Sequence, residues 1–227
     1  MDYIFIEYGL IIISVIISAA AQFFINHNYK KYSKESNNYN VSGYETARRI
    51  LDNNGLEHIK INQVSGTLSD FYDPQSKTVN LSDGVYNANT VAAVSVAAHE
   101  CGHAIQDKNG YLFLKIRRKL VPLVNIASYV GYIAVAVGFA FSALKLVELG
   151  ILFEVIIFLF QVITLPVEFN ASRRALKQIK ELELLESKEY KGGKKMLTSA
   201  ALTYVAGVVS ALAQVLRLVL ILRRRDD

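Results

Sequence analysis

The sequence predicts a mainly α fold, in which polytopic membrane helices carry a small α+β portion. Three observations lead there. Of 227 residues, 52% are hydrophobic and 20% charged, and the two kinds are segregated along the chain. The apolar residues gather in four blocks with the charges between them, the distribution of a chain that crosses lipid repeatedly. The polar stretch 35–118 instead carries turn residues between short helix-like and strand-like runs. The apolar content excludes a disordered chain. Formal net charge is +5, but Lys and Arg flank the apolar blocks, where they set topology. No basic run with interleaved aromatics suggests nucleic acid. The single cysteine, Cys101, cannot close an internal disulfide, so nothing suggests an oxidised exported domain.

The first block, Tyr8 to Ile25, reads as a transmembrane helix. Asp2 and Glu7 precede it with no Lys or Arg, which is wrong for a cleaved signal peptide. Lys30, Lys31 and Lys34 follow it, so the N-terminus lies outside and the next segment in the cytoplasm. Ser42-Gly43-Tyr44-Glu45 is a capping box that starts a helix, and Asn54-Gly55 ends it. His58–Val64, Leu68–Tyr72 and Lys77–Leu81 read as three short strands. A longer helix follows, capped by Asn87 or Asn89, beginning near Thr90 and ending near Gly110.

The second block, Leu120 to Leu144, places small residues four apart at Ala127/Gly131 and Ala134/Gly138, which lets helices approach closely in lipid. The third block, Leu149 to Pro166, carries Glu154. Pro166 marks a boundary, and a charged amphipathic helix runs from about Glu168 to Tyr190, where Gly192-Gly193 breaks it. The fourth block, Met196 to Leu216, ends in a basic tail, Arg223-Arg224-Arg225. Four spans from an outside N-terminus would put that tail outside, against the positive-inside tendency, so the last block is left open as spanning, tilted, re-entrant or interfacial.

The chemistry lies at His99-Glu100-Cys101-Gly102-His103. Residues four apart share a helix face, so both imidazoles reach one ion, and neutral imidazole is a good zinc ligand. Glu100, beside them, is placed to take a proton from water activated by that ion. Chance would produce His-Glu-x-x-His in well under ~1% of chains this long. The competing reading is two exposed helical histidines. The small apolar run Val91–Ala98 argues against it, because it packs the helix on both sides. Gly102 inside such a helix costs about 1 kcal/mol relative to alanine, which points to a close approach there. Cys101 faces away from the histidines and reads as a small packing residue.

A catalytic zinc takes a third protein ligand. His27 borders a span and His58 sits in a small strand, and each reads as interfacial or surface. Glu168 is the stronger candidate, because two antiparallel spans return the chain to the leaflet it left. A first-turn glutamate favoured by the helix dipole is the ordinary alternative, and on the residues alone it stays open.

Ala97–Gln106, taken with Pro166-Val167-Glu168-Phe169-Asn170-Ala171-Ser172-Arg173-Arg174-Ala175 and Asp70–Pro74 followed by Leu81-Ser82, resembles the YugP-type membrane zinc metallopeptidases. The match covers most of the chain. That family is similar in plan to the HtpX and CAAX-prenyl proteases, in which a glutamate after the spans is the third ligand. The resemblance therefore implies that Glu168 binds zinc, one ion per chain, and that the α+β portion is zincin-like. HtpX-like proteins carry an aspartate four residues after that glutamate. Ser172 stands there in this chain, leaving open whether Ser172, Asn170 or another group orients the ligands. The resemblance also implies that an extended substrate pairs with an edge strand, here Thr78, Val79 and Asn80. An ordinary structural strand is the equal alternative.

The expected organisation is an N-terminal transmembrane helix (1–26), a cytoplasmic α+β portion with the His-Glu-x-x-His helix (27–118), a transmembrane hairpin (119–166), an amphipathic helix with the third ligand (167–195) and a C-terminal membrane helix with a basic tail (196–227). The expected function is zinc-dependent endopeptidase action with Glu100 as general base, on peptides or membrane proteins. The setting is a bacterial plasma membrane, with the site facing the cytoplasm. Partners are the lipid bilayer and no nucleic acid, with an oligomer or regulator left open. The alternatives are a non-proteolytic zinc-binding membrane scaffold and a zinc hydrolase of a non-peptide substrate.

Overall fold

The computed structural model describes residues 2–226, and the side chains of 5–223. The side chains of Arg224 and Arg225 in the basic tail therefore lie outside the described residues. In chain order the elements are α1 (Asp2–Tyr32), α2 (Gly43–Asn53), β1 (Lys60–Val64), β2 (Phe71–Asp73), β3 (Thr78–Ser82), α3 (Asp83–Tyr86), α4 (Val91–Lys108), α5 (Leu112–Ala140), α6 (Leu144–Glu181) and α7 (Ser187–Asp226). The fold is mainly α with a small α+β part. Among the described residues, four helices are long and apolar enough to cross a membrane: Phe5–Tyr32, Leu112–Ala140, Leu144–Glu181 and Ser187–Arg223.

The chain forms two compact units. One holds the residues up to Gln22, Lys115–Pro166 and those from Thr203 onward. Its α1 segment leaves Phe5, Ile12, Ile13 and Val15 exposed, as a lipid-facing helix does. Within this unit, α5 meets α6 on the small-residue stripe. Ala127, Gly131, Ala134 and Gly138 are the buried residues of α5. A Cβ on Gly131 would lie 2.8 Å from the Phe153 Cβ, and one on Gly138 would lie 2.7 Å from a Val147 methyl. Only glycine admits so close a contact.

The other unit, Phe23–Leu114 with Val167–Leu202, holds a three-stranded sheet, α2, α3, α4 and the neighbouring parts of the long helices. The capping box forms as the sequence requires. Ser42 accepts from the Glu45 backbone while the Glu45 side chain accepts from the Ser42 backbone. Gly55 closes α2 at φ +62°, a conformation glycine adopts at little cost. The core joins Ile50 and Leu51 of α2, Val79 and Leu81 of β3, Val91–Val94 of α4, and Ile179 and Leu184. Each such Leu or Ile, fully buried, contributes roughly 1.5–3 kcal/mol.

Several boundaries differ from expectation. Thr90, not Asn87 or Asn89, caps α4, its hydroxyl accepting from the Ala93 amide at 3.2 Å. The second strand begins at Phe71, because Leu68 adopts φ +55° and is exposed. Pro166 lies inside α6, which continues unbroken to Glu181. A proline removes one backbone hydrogen bond, a loss that helices at membrane depth tolerate. The real stop is at Glu183, which takes φ +50° while Leu184 donates back to the Ile179 carbonyl. Gly192 and Gly193 lie inside α7 rather than breaking it. A Cβ on Gly192 would come within 2.7 Å of the Tyr32 ring, and one on Gly193 within 2.6 Å of the Ser95 hydroxyl. These glycines permit close packing instead of ending a helix.

The strand order is β1-β3-β2. Residues Thr78–Ser82 pair in parallel with Lys60–Val64, and Thr78–Asn80 pair antiparallel with Phe71–Asp73. The expectation that Thr78, Val79 and Asn80 form an edge strand is therefore corrected. They are central, buried and paired on both sides, so they cannot offer a ladder to an extended peptide.

Candidate active site

Helix α4 starts at the Thr90 cap and buries Val91–Ala98 almost completely. It thereby delivers His99 and His103, one turn apart, to a single place. Their rings meet edge to face, with centroids 4.8 Å apart. Opposite them, α6 presents Glu168, which is 2% exposed. The Glu168 Oε2 lies 3.3 Å from the His99 Nε2 and 3.6 Å from the His103 Nε2. One ligand atom from each residue falls within 4.8 Å of the others. Ligands at about 2.0–2.1 Å around a tetrahedral zinc stand roughly 3.3–3.4 Å apart, close to the two His–Glu168 distances, and the three residues could hold a metal ion.

Gly102 explains how α6 comes so near. A Cβ there would sit 2.5 Å from the Ala171 carbonyl oxygen. The close approach that the mid-helix glycine implied is thus made by the backbone just past Glu168.

Glu100 is buried, and burial pushes its carboxyl up to about 7. The negative charges of Glu168 and Asp70 push the same way, while the charge of His99 and a hydrogen bond from the Tyr72 backbone oppose them. Asp70 accepts from the Ser82 amide at 2.7 Å and hydroxyl at 3.0 Å, and burial still raises its carboxyl. Cys101 points the other way, its Sγ 3.6 Å from the Ala47 carbonyl. Burial pushes its thiol far up, so no thiolate is at hand to bind metal. His27 and His58 are exposed, and neither joins the cluster.

The neighbouring polar groups are partly new. The Ser172 hydroxyl lies 3.2 Å from the His99 Nδ1. Gln106, fully buried, places its Oε1 3.0 Å from the His103 Nδ1. Its Nε2 donates to the Val167 carbonyl at 2.7 Å and to the Asn170 Oδ1 at 3.0 Å. Arg174 Nε donates to the same Asn170 oxygen at 2.8 Å.

Residues 7–223 match the protein family described as "Putative neutral zinc metallopeptidase". The chain belongs to that family. It is also 46% identical over 209 residues to "Putative membrane protease YugP" of Bacillus subtilis (strain 168), a match covering 91% of this chain and 92% of the relative. No solved structure matches. Membership of a zinc metallopeptidase family agrees with a cluster of two imidazoles and one carboxylate that could hold a metal. Sequence reasoning missed Gln106. The available signal was its position, one helical turn beyond His103 and on the same face.

Proposed function

We propose that this chain is a membrane-embedded zinc endopeptidase in which His99, His103 and Glu168 hold one zinc ion and Glu100 moves the proton. The observation that carries this reading is the convergence of two imidazole nitrogens on one buried carboxylate oxygen, at 3.3 and 3.6 Å, with a second buried carboxyl next to them in sequence. Bound there, zinc supplies Lewis acidity and lowers the pKa of water from about 16 to about 7. Glu100 takes the proton from the attacking water and returns it to the leaving amine. Burial raises its carboxyl, which favours return of the proton to the leaving amine. A cation among the three ligands draws that carboxyl back down, toward the ionised form a base needs. A purely structural site has no use for a second buried carboxyl beside the three ligands, which disfavours the scaffold reading.

The extended substrate pairs with β2 instead of β3. Among the described residues, Phe71–Asp73 have a strand on one side only, and the Tyr72 backbone reaches Glu100, so a peptide added at this edge runs beside the base. Residues 27–118 and 167–195 form the catalytic portion. Residues 1–26, 119–166 and 196–227 form the membrane part. Lys30, Lys31 and Lys34 after the first span place the catalytic portion in the cytoplasm, in a bacterial plasma membrane, as the Bacillus relative suggests. Peptides or membrane-protein segments near that face are the substrates.

The test is to incubate the detergent-purified protein with an unfolded membrane protein and identify new termini by mass spectrometry. Newly formed peptide termini that disappear on chelation and return with zinc are expected. Zinc binding without any new terminus, across a broad peptide set, would replace the endopeptidase reading with the scaffold.

A further inference from the structure

The structure assigns Gln106 a role as a positioning residue that fixes the tautomer of His103, with its polarity dictated from Arg174. This inference rests on the zinc-site reading above. A guanidinium donates and never accepts, so Asn170 must turn its oxygen toward Arg174 Nε, 2.8 Å away. That same oxygen, 3.0 Å from the Gln106 amide, requires the amide nitrogen of Gln106 to face it. The Val167 carbonyl, which only accepts, demands the same nitrogen at 2.7 Å. Two independent acceptors thus hold the Gln106 amide one way round, and its oxygen is left facing the His103 Nδ1 at 3.0 Å. In its neutral form the imidazole must therefore carry its proton on Nδ1. Its Nε2 presents a lone pair toward the Glu168 Oε2, 3.6 Å away. A lone pair and a carboxylate oxygen directed at one point are relieved by a cation between them.

His99 is held differently. Its Nδ1 faces the Ser172 hydroxyl at 3.2 Å, and a hydroxyl can donate or accept, so nothing there dictates a tautomer. The site has one histidine locked in the ligand form and one free to adopt it. Position 172 holds a serine, and the group that orients His103 comes from the active-site helix itself. A structural role alone, with Gln106 tying α4 to α6, would account for the burial. It would leave the His103 tautomer unchanged when Gln106 is replaced.

The test reads the tautomer directly. The full-length, ¹⁵N-histidine-labelled protein is stripped of metal in detergent and held at alkaline pH, where the rings are neutral. The four histidines are assigned by single substitutions, and long-range ¹H–¹⁵N correlations report which ring nitrogen carries the proton. His103 is expected in the Nδ1–H form in wild type and mostly in the Nε2–H form in Gln106→Met. Zinc affinity, measured by chelator competition, is expected to fall about 10- to 100-fold in Gln106→Met. A wild-type His103 in the Nε2–H form would overturn the inference, even if Gln106→Met fails to fold. So would a folded Gln106→Met with wild-type zinc affinity. Wild type that shows the Nδ1–H form yet binds no zinc would sustain the tautomer lock and sink the proposed function instead.

Discussion

The Ala171 carbonyl oxygen sits where a side chain on Gly102 would begin, 2.5 Å from the position of its Cβ. This contact sets how near α6, with Glu168, comes to the two histidines of α4. Alanine at 102 improves helix propensity by about 1 kcal/mol, but it meets backbone, which cannot rotate away. Overpacking of this kind costs about 1–3 kcal/mol. Gly102→Ala should therefore fold and lose roughly tenfold or more in zinc affinity, measured by chelator competition. Unchanged affinity would show that Glu168 does not depend on this approach.

Removing a ligand should act on metal and stability together. His99→Ala, His103→Ala and Glu168→Ala each remove one of the three proposed ligands, and each is expected to purify with little zinc by elemental analysis. Wild type at a free zinc concentration of 100 times Kd gains about 2.7 kcal/mol from binding. Chelation should lower its unfolding midpoint, and the three variants should show almost no response to chelator. A variant that still responds like wild type would not have lost a ligand.

Cys101 should be inert. Its thiol is buried against the Ala47 carbonyl and pushed far from ionisation, so a maleimide probe should label it only after denaturation. Cys101→Ala should keep full zinc content at a stability cost of about 1 kcal/mol. Rapid labelling of the native protein, or zinc loss in that variant, would contradict the packing role.

Much of this was readable in the chain because it depends on local rules. The Ser42–Glu45 box, the Asn54-Gly55 stop and the His99–His103 spacing each act within a turn of helix. The Ala127–Gly138 stripe is a periodic pattern along one helix. Chain topology left Glu168 as one of two readings, and the resemblance implied it as a ligand; α6 brings it beside both histidines. What was misread depends on partners distant in sequence. Gly192-Gly193 has the composition of a break, but Tyr32 and Ser95 occupy the space that side chains would fill. Pro166 looks like a boundary, yet α6 continues past it. Strand order cannot be read from three short runs, so the central place of Thr78–Asn80 emerged only with the pairing. Gln106 looks like any polar residue near a helix end until Val167 and Asn170 are set against it.

Asp107 joins the sheet to the end of the active-site helix. It accepts from the Tyr72 hydroxyl at 2.8 Å and pairs with Lys77, tying β2 and the β2–β3 turn to α4. Asp107→Ala should leave zinc content intact, because no ligand is touched. It should destabilise the fold by about 1–3 kcal/mol and, with β2 the substrate edge, raise KM more than it lowers kcat. A pure kcat loss at unchanged KM would argue against substrate binding at β2.

The most direct measurement pairs zinc content with cleavage in wild type and Glu100→Gln. Glutamine keeps the shape of the side chain but cannot take a proton. Both proteins should carry about one zinc per chain, and Glu100→Gln should cleave an unfolded membrane protein at least about 10²-fold more slowly. Wild-type protein without zinc, or a Glu100→Gln variant that cleaves at the wild-type rate, would contradict a zinc peptidase that works through Glu100.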